Sequence, residues 1–247
     1  MRGGTSLAEV VMDDSAVERV LCVMAHPDDV DYGLAGTVAG WTDAGIHVTY
    51  CMVTSGDAGG FDPSVPRDQI AGIREREQRA AAKEVGVSDL HFLGYPDGQL
   101  EVSLDLRRDI ARVIREVRPQ RVVCQSPERA WERIYGSHPD HLAAGEATMC
   151  AVYPDARNPF TFADTIGQLE AWTVNEVWVS SGPRVNHYVD ITKQFDRKKS
   201  ALLRHESQME SAEKLHEILH FWNGSNAEAA GFPEGSYAEA FWVMDVT

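Results

Sequence analysis

Two short runs hold the side chains from which a catalyst could be built. Ala25-His26-Pro27-Asp28-Asp29 and, much later, His138-Pro139-Asp140-His141 each pack imidazoles and carboxylates into four or five residues. Imidazole nitrogen and carboxylate oxygen are good donors to zinc in tetrahedral sites, and a catalytic zinc site keeps one of four positions for water. Two histidines and one carboxylate would fill the other three. The surplus groups then supply proton transfer, a carboxylate taking a proton from water and an imidazole giving one to a leaving group. The two runs therefore point to a metal-dependent hydrolase with one Zn2+ per chain, although such donors also accept other divalent metals. Spacing alone does not separate Asp28 from Asp29. Either run taken singly would serve as well for turn formers and helix caps, so the decision rests on where the fold puts them.

The elements that must position them follow an alternating pattern. Val20-Leu21-Cys22-Val23-Met24 is a continuous apolar run, as expected of a strand covered on both faces, and it ends directly in the first motif. Leu34, Val38 and Trp41 share one helical face that closes at Gly45, and a second strand follows at Val48 to Val53. The spacing predicts a helix over 68–85, a strand over 90–93, a helix carrying Leu106, Ile110, Val113, Ile114 and Val117, and a strand over 121–124. Strands are also expected at 174–180 and 241–246, with one or two polar helices across 192–222. Strand–helix–strand repetition implies a Rossmann-like, doubly wound α/β fold whose mostly parallel sheet is sandwiched by helices. In such sheets ligands bind beyond the carboxyl ends of the strands, and both motifs follow strands there. Residues 1–17 read as a flexible leader and 18–247 as a single domain.

The 247 residues are 43% hydrophobic and 25% charged, with a formal net charge of −15. No basic surface is implied, so nucleic acid is not an expected partner. No apolar run approaches the roughly 18–20 residues needed to span a bilayer, and no signal peptide is expected. Cysteines 22, 51, 124 and 150 are widely spaced, three of them in strand-like runs. They suit buried reduced thiols and a cytoplasmic location. A homo-oligomer is allowed.

With His26-Pro27-Asp28-Asp29 and His138-Pro139-Asp140-His141 in that order, the chain resembles the PIG-L/LmbE-type zinc-dependent N-acetylglucosaminyl deacetylases. The resemblance runs from about residue 19 to 207. It takes in Arg74-Glu75-Arg76-Glu77, Phe92-Leu93-Gly94-Tyr95-Pro96-Asp97-Gly98, Val189-Asp190-Ile191-Thr192 and His205-Glu206-Ser207-Gln208. It implies an LmbE-like fold, with His26, Asp29 and His141 on zinc, Asp28 as general base, and His138 as general acid and oxyanion partner. Arg74 and Asp97 match positions that contact substrate hydroxyls, and Arg157 is placed near the site. Tyr135 stands three residues before His138, where some relatives have a tyrosine one residue closer. The implied reaction removes acetyl from an N-acetylated amino sugar, an N-acetylglucosamine conjugate. The alternatives are amide cleavage of a larger thiol–sugar conjugate, or a non-catalytic sugar-binding module on the same fold.

One further pattern competes. His216-Glu217-Ile218-Leu219-His220 fits the metallopeptidase motif H-E-x-x-H, with Glu239 available as a third ligand. It specifies only three positions in a chain with nine histidines, and it is the least favoured reading. Thr54 to Gly60 is rich in glycine and could frame the site as a mobile loop.

Overall fold

The computed structural model describes residues 11–60 and 62–247. Seven strands make one sheet: β1 (Arg19–Met24), β2 (His47–Thr54), β3 (Asp89–Tyr95), β4 (Arg121–Gln125), β5 (Glu176–Ser180), β6 (His187–Asp190) and β7 (Ala238–Asp245). Their order is β3-β2-β1-β4-β5-β7-β6, and β1 to β5 run parallel while β7 lies antiparallel between β5 and β6. Helices α1 (Asp29–Asp43), α2 (Arg67–Glu84), α3 (Leu104–Val117), α4 (Pro139–Cys150), α5 (Ala163–Ile166), α6 (Phe195–Leu202) and α7 (Ala212–Ala229) accompany it. The expected α/β fold with its mostly parallel sheet is what forms.

Alternate side chains of the central strands feed two cores. Cys22, Met24, Tyr50 and Met52 point to the layer that holds Leu34, Val38 and Trp41 of α1. Leu21, Val23, Val122 and Cys124 point to the layer with Ile110 and Ile114 of α3 and Ala144 and Ala147 of α4. Burial on both faces explains why β1 and β4 carry uninterrupted apolar sequence. A third cluster joins Phe195, Leu202, Leu215 and Leu219 beneath α6 and α7.

Buried ions fix the margins of the sheet. Lys198 is fully buried, its Nζ 2.6 Å from Glu239 Oε1 and 2.7 Å from the Tyr32 carbonyl. Glu239 also accepts from the backbone N–H groups of Gly36 and Thr37, so α6, β7 and α1 meet on one carboxylate. Arg121, also fully buried, pairs with Glu176 and Asp14 and lies 4.3 Å over the Trp178 ring.

That last contact corrects the expected leader. Residues 1–10 lie outside the described residues. Residues 11–17, however, are docked: Arg121 donates to Asp14 and to the Met12 carbonyl, and Val17 is buried in the core. The polar stretch across 192–222 is two helices with a break at 203–211, and its second helix runs on to Ala229.

Candidate active site

Sheet order reverses between β1 and β4, because β2 follows on one side and β5 on the other. At such a switch point the loops after neighbouring strands diverge and leave a crevice. The first motif leaves β1 there and becomes the start of α1, with Asp28 at the cap position. The second reaches the same edge through the loop after β4 and starts α4, with His138 as the cap and Pro139 at the first turn. Gln125, the last residue of β4, accepts from the Ala25 N–H at 2.9 Å and ties the two exits together.

The donor atoms converge closely. His26 Nδ1 and His141 Nε2 are 3.3 Å apart, Asp29 Oδ1 is 3.1 Å from His141 Nε2, and Asp29 Oδ2 is 3.3 Å from His26 Nδ1. Tetrahedral bonds of about 2.0–2.1 Å put neighbouring donors about 3.3 Å apart, so the two nitrogens and the Asp29 carboxylate, which offers one oxygen to each, suit a zinc-sized site. His138 stands beside them, its ring centroid 5.1 Å from that of His26.

Carboxylates face both imidazoles. Burial works against a charge on His26, yet bonds from Asp140, Asp29 and Asp97 push it up to about 12. His141 is raised through Asp29 against the same penalty. Burial likewise opposes ionisation of Asp29, but His141 and His26 hold it well below the usual carboxylate range.

The opposite nitrogen of His26 is held from behind. Nε2 lies 3.0 Å from Asp97 Oδ1 and 3.2 Å from Asp140 Oδ2, and a carboxylate on a ligand imidazole fixes its tautomer and raises its basicity. Asp140 is itself buried and accepts from the backbone N–H groups of Gly98 and Leu100. Asp97 accepts from the Ala58 N–H at 3.0 Å. Asp97, expected on substrate hydroxyls, is instead engaged with His26, while Asp140 had no assigned role although it stood inside the second motif.

Asp28 has a left-handed backbone, φ 87°, uncommon for a residue with a side chain. Burial raises its carboxyl to about 6 despite the opposing Arg74 guanidinium, a value suited to a general base near neutral pH. Arg74 is buried: its Nη2 donates to Asp28 Oδ2 at 3.0 Å and to the Pro27 carbonyl at 2.6 Å, and its Nη1 to the Gly56 carbonyl at 3.1 Å. Gly56 is required by this contact, because a Cβ there would fall 2.2 Å from Arg74 Nη1 and its φ is +68°. Arg74 thus grips Asp28, and the loop from Thr54 to Gly60 is tied to Arg74, Arg67 and Asp97.

His138 is exposed. Its Nδ1 accepts from the Asp140 N–H at 3.2 Å, which leaves Nε2 to carry the ring proton. Burial of the ring and the neighbouring His26 and His141 lower its pKa. Arg157 lies elsewhere. It donates to the Val246 carbonyl at 2.6 Å, and the Val246 N–H bonds Asn175, just before β5, so this arginine sits at the edge where the parallel strands begin, opposite the site. The side chain of Tyr135 lies outside the described residues.

A cavity of about 480 Å³ opens beside Asp29 and His141 and runs past Tyr32, Arg184, Phe221, Trp222 and Asn223. Tyr32 and Trp222 meet edge to face at 6.3 Å, and Phe221 is largely exposed. Helix α1 delivers Tyr32, and α7 delivers Phe221 and Trp222. Its H-E-x-x-H histidines do other things: His220 bonds the Tyr237 hydroxyl and packs on Phe195, and Glu239 is taken by Lys198.

A Rossmann-like sheet with metal donors, a carboxylate and an imidazole at its switch point defines a metal-dependent hydrolase of α/β type. Comparison with known proteins narrows the class. The chain belongs to the PIG-L family, described as GlcNAc-PI de-N-acetylase, whose model matches residues 21–152. It is 34% identical over 192 residues to the diacetylchitobiose deacetylase of Thermococcus kodakarensis, covering 78% of this chain and 70% of that protein. It is 31% identical to a probable N-acetyl-alpha-D-glucosaminyl L-malate deacetylase 2 of Bacillus anthracis, covering 91% and 94%. Among solved structures, the N,N'-diacetylchitobiose deacetylase of Pyrococcus horikoshii, complexed with its inhibitor MPG, superposes with a TM-score of 0.87 at 28% identity, covering 97% of this chain and 89% of that one. These relatives are deacetylases, hydrolases of amide bonds. Among the described residues no helix is long and apolar enough to cross a membrane.

Proposed function

We propose that the chain is a divalent-metal-dependent N-deacetylase that hydrolyses the acetamido group of an N-acetylglucosamine conjugate to acetate and free amine. The observation that carries the reading is the mutual spacing of 3.1–3.3 Å among donors from His26, Asp29 and His141, with Asp28 and His138 alongside. These three residues would hold the ion, which when bound supplies Lewis acidity to water and to the amide carbonyl. Asp28 takes the proton from the attacking water. The Nε2–H of His138 donates to the oxygen that becomes negative as the carbonyl turns tetrahedral. His138 then delivers a proton to the departing nitrogen and is restored by the proton that Asp28 took from the water. Asp97 and Asp140 keep His26 in the tautomer that offers Nδ1.

The test is acetate release from N-acetylglucosamine and N,N'-diacetylchitobiose, with zinc-loaded and chelator-stripped protein. Release that disappears on stripping and returns with zinc is expected. Activity indifferent to metal, or none on any acetamido sugar, would overturn the reading.

The aromatic cavity wall supports a conjugate over a bare monosaccharide, since Tyr32, Phe221 and Trp222 offer ring faces beyond the reacting group. Trp222→Ala is expected to raise KM for N,N'-diacetylchitobiose about 3- to 10-fold, from stacking contacts of about 0.5–1.5 kcal/mol, with kcat little changed. An unchanged KM would remove the wall from recognition. A cytoplasmic location suits the four free cysteines, three of them buried.

A further inference from the structure

Asp28 owes its unusual backbone to a clamp on one peptide group. The carbonyl of Pro27 and the N–H of Asp28 belong to the same peptide unit. Arg74 Nη2 donates to that carbonyl at 2.6 Å, and Gln78 Oε1 accepts from that N–H at 2.8 Å. Arg74 and Gln78 are four residues apart on α2, so they lie on one face, a turn apart. Between them they hold both polar ends of the peptide, and hence the φ of 87° at Asp28.

Gln78 is fully buried, and its amide has one orientation that satisfies both ends. Its Nε2 donates to Asp31 Oδ2 at 2.9 Å, and the same oxygen lies 2.8 Å from His205 Nε2. Asp31 accepts only, so it forces the Nε2 end of Gln78 toward itself and leaves Oε1 for Asp28. Both Asp31 and His205 are buried. His205 opens the run His205-Glu206-Ser207-Gln208, and Ser207 is fixed to Glu77 of α2 through its N–H and hydroxyl.

We propose that Gln78 is a positioning residue for the hydrolytic reaction: with Asp31 and His205 behind it, it locks the Pro27–Asp28 peptide so that the Asp28 carboxylate is aimed at the reacting water. The proposal rests on the deacetylase reading, with Asp28 as base. Gln78 touches neither metal donor nor cavity. Its loss acts only through the aim of Asp28, where a misplacement of about 1 Å is enough to cost about 10²-fold.

The experiment compares Gln78→Met, which keeps length and removes both bonds, with Gln78→Glu, which keeps the acceptor for the Asp28 N–H. Zinc content, melting temperature, and kcat and KM on N,N'-diacetylchitobiose are measured for each. Gln78→Met is expected to bind one zinc, to lose kcat by about 10- to 100-fold and to keep KM within about threefold. Gln78→Glu is expected to recover part of kcat. In an Asp28→Ala background, Gln78→Met should cost nothing further, because both changes remove one function. A folded, zinc-loaded Gln78→Met with wild-type kcat would overturn the proposal, as would equal losses in both backgrounds. Crystal structures of both variants keep the two readings apart. If the wild type released no acetate the deacetylase reading would fall, whereas Asp28 remaining left-handed in Gln78→Met would overturn the clamp.

Discussion

Asp28→Ala protein, loaded with zinc, is expected to release acetate about 10²- to 10⁴-fold more slowly than wild type, the usual cost of removing a proton-transfer residue. The loss should fall in kcat, because the Asp28 carboxylate acts on the attacking water while the rings of the aromatic wall are left in place. Zinc content should stay at one per chain, since His26, Asp29 and His141 are untouched. Asp28→Asn sharpens the measurement. It keeps the shape and the hydrogen bond from Arg74 but cannot accept a proton near neutral pH, so it should be as slow as the alanine variant. An Asp28→Asn enzyme with near wild-type kcat would take the base role away from this residue.

His141→Ala is expected to abolish stoichiometric metal binding and, with it, activity. Two donors remain, on the loop after β1 and at the start of α1, and two do not make a closed set. The carboxylate behind the ligands gives a graded comparison. Asp140→Ala leaves all three donors in place but removes a partner of His26 Nε2, and should weaken zinc affinity about 10- to 100-fold, as removal of such partners does. His216→Ala, in the competing motif on α7, should bind zinc as the wild type does. Competition against a fluorescent chelator measures all three variants. Full affinity in His141→Ala, or its loss in His216→Ala, would move the metal to the other helix.

The sequence disclosed the scaffold through periodicity. Apolar runs at 20–24 and 121–124 announced central strands, and the His-Asp motifs directly beyond them announced the edge at which chemistry gathers. The candidate metal donors were legible because histidine and aspartate carry their chemistry with them. What surrounds them was not. Asp97 was expected toward substrate hydroxyls, and its bond to His26 shows only once the loop after β3 is seen in place. Gln78 has no chemical signature at all, and its meaning lies in two hydrogen bonds to segments far off in the chain. Arg157 rested on the resemblance alone, and α4 carries the chain from the crevice back toward the amino edge of the sheet, taking this arginine away from the site. Strand β6 has four residues, none fully buried, too short and too mixed to show a period of two.

The left-handed backbone at Asp28 also bears on how this enzyme would respond to engineering. A side chain in that conformation costs about 1 kcal/mol that glycine would not. Glycine at position 28 would relieve that cost but would strip the buried Arg74 guanidinium of its carboxylate, a larger loss. The strained base and its ion pair are thus held together, so any campaign to harden this scaffold has to select for turnover in the same round.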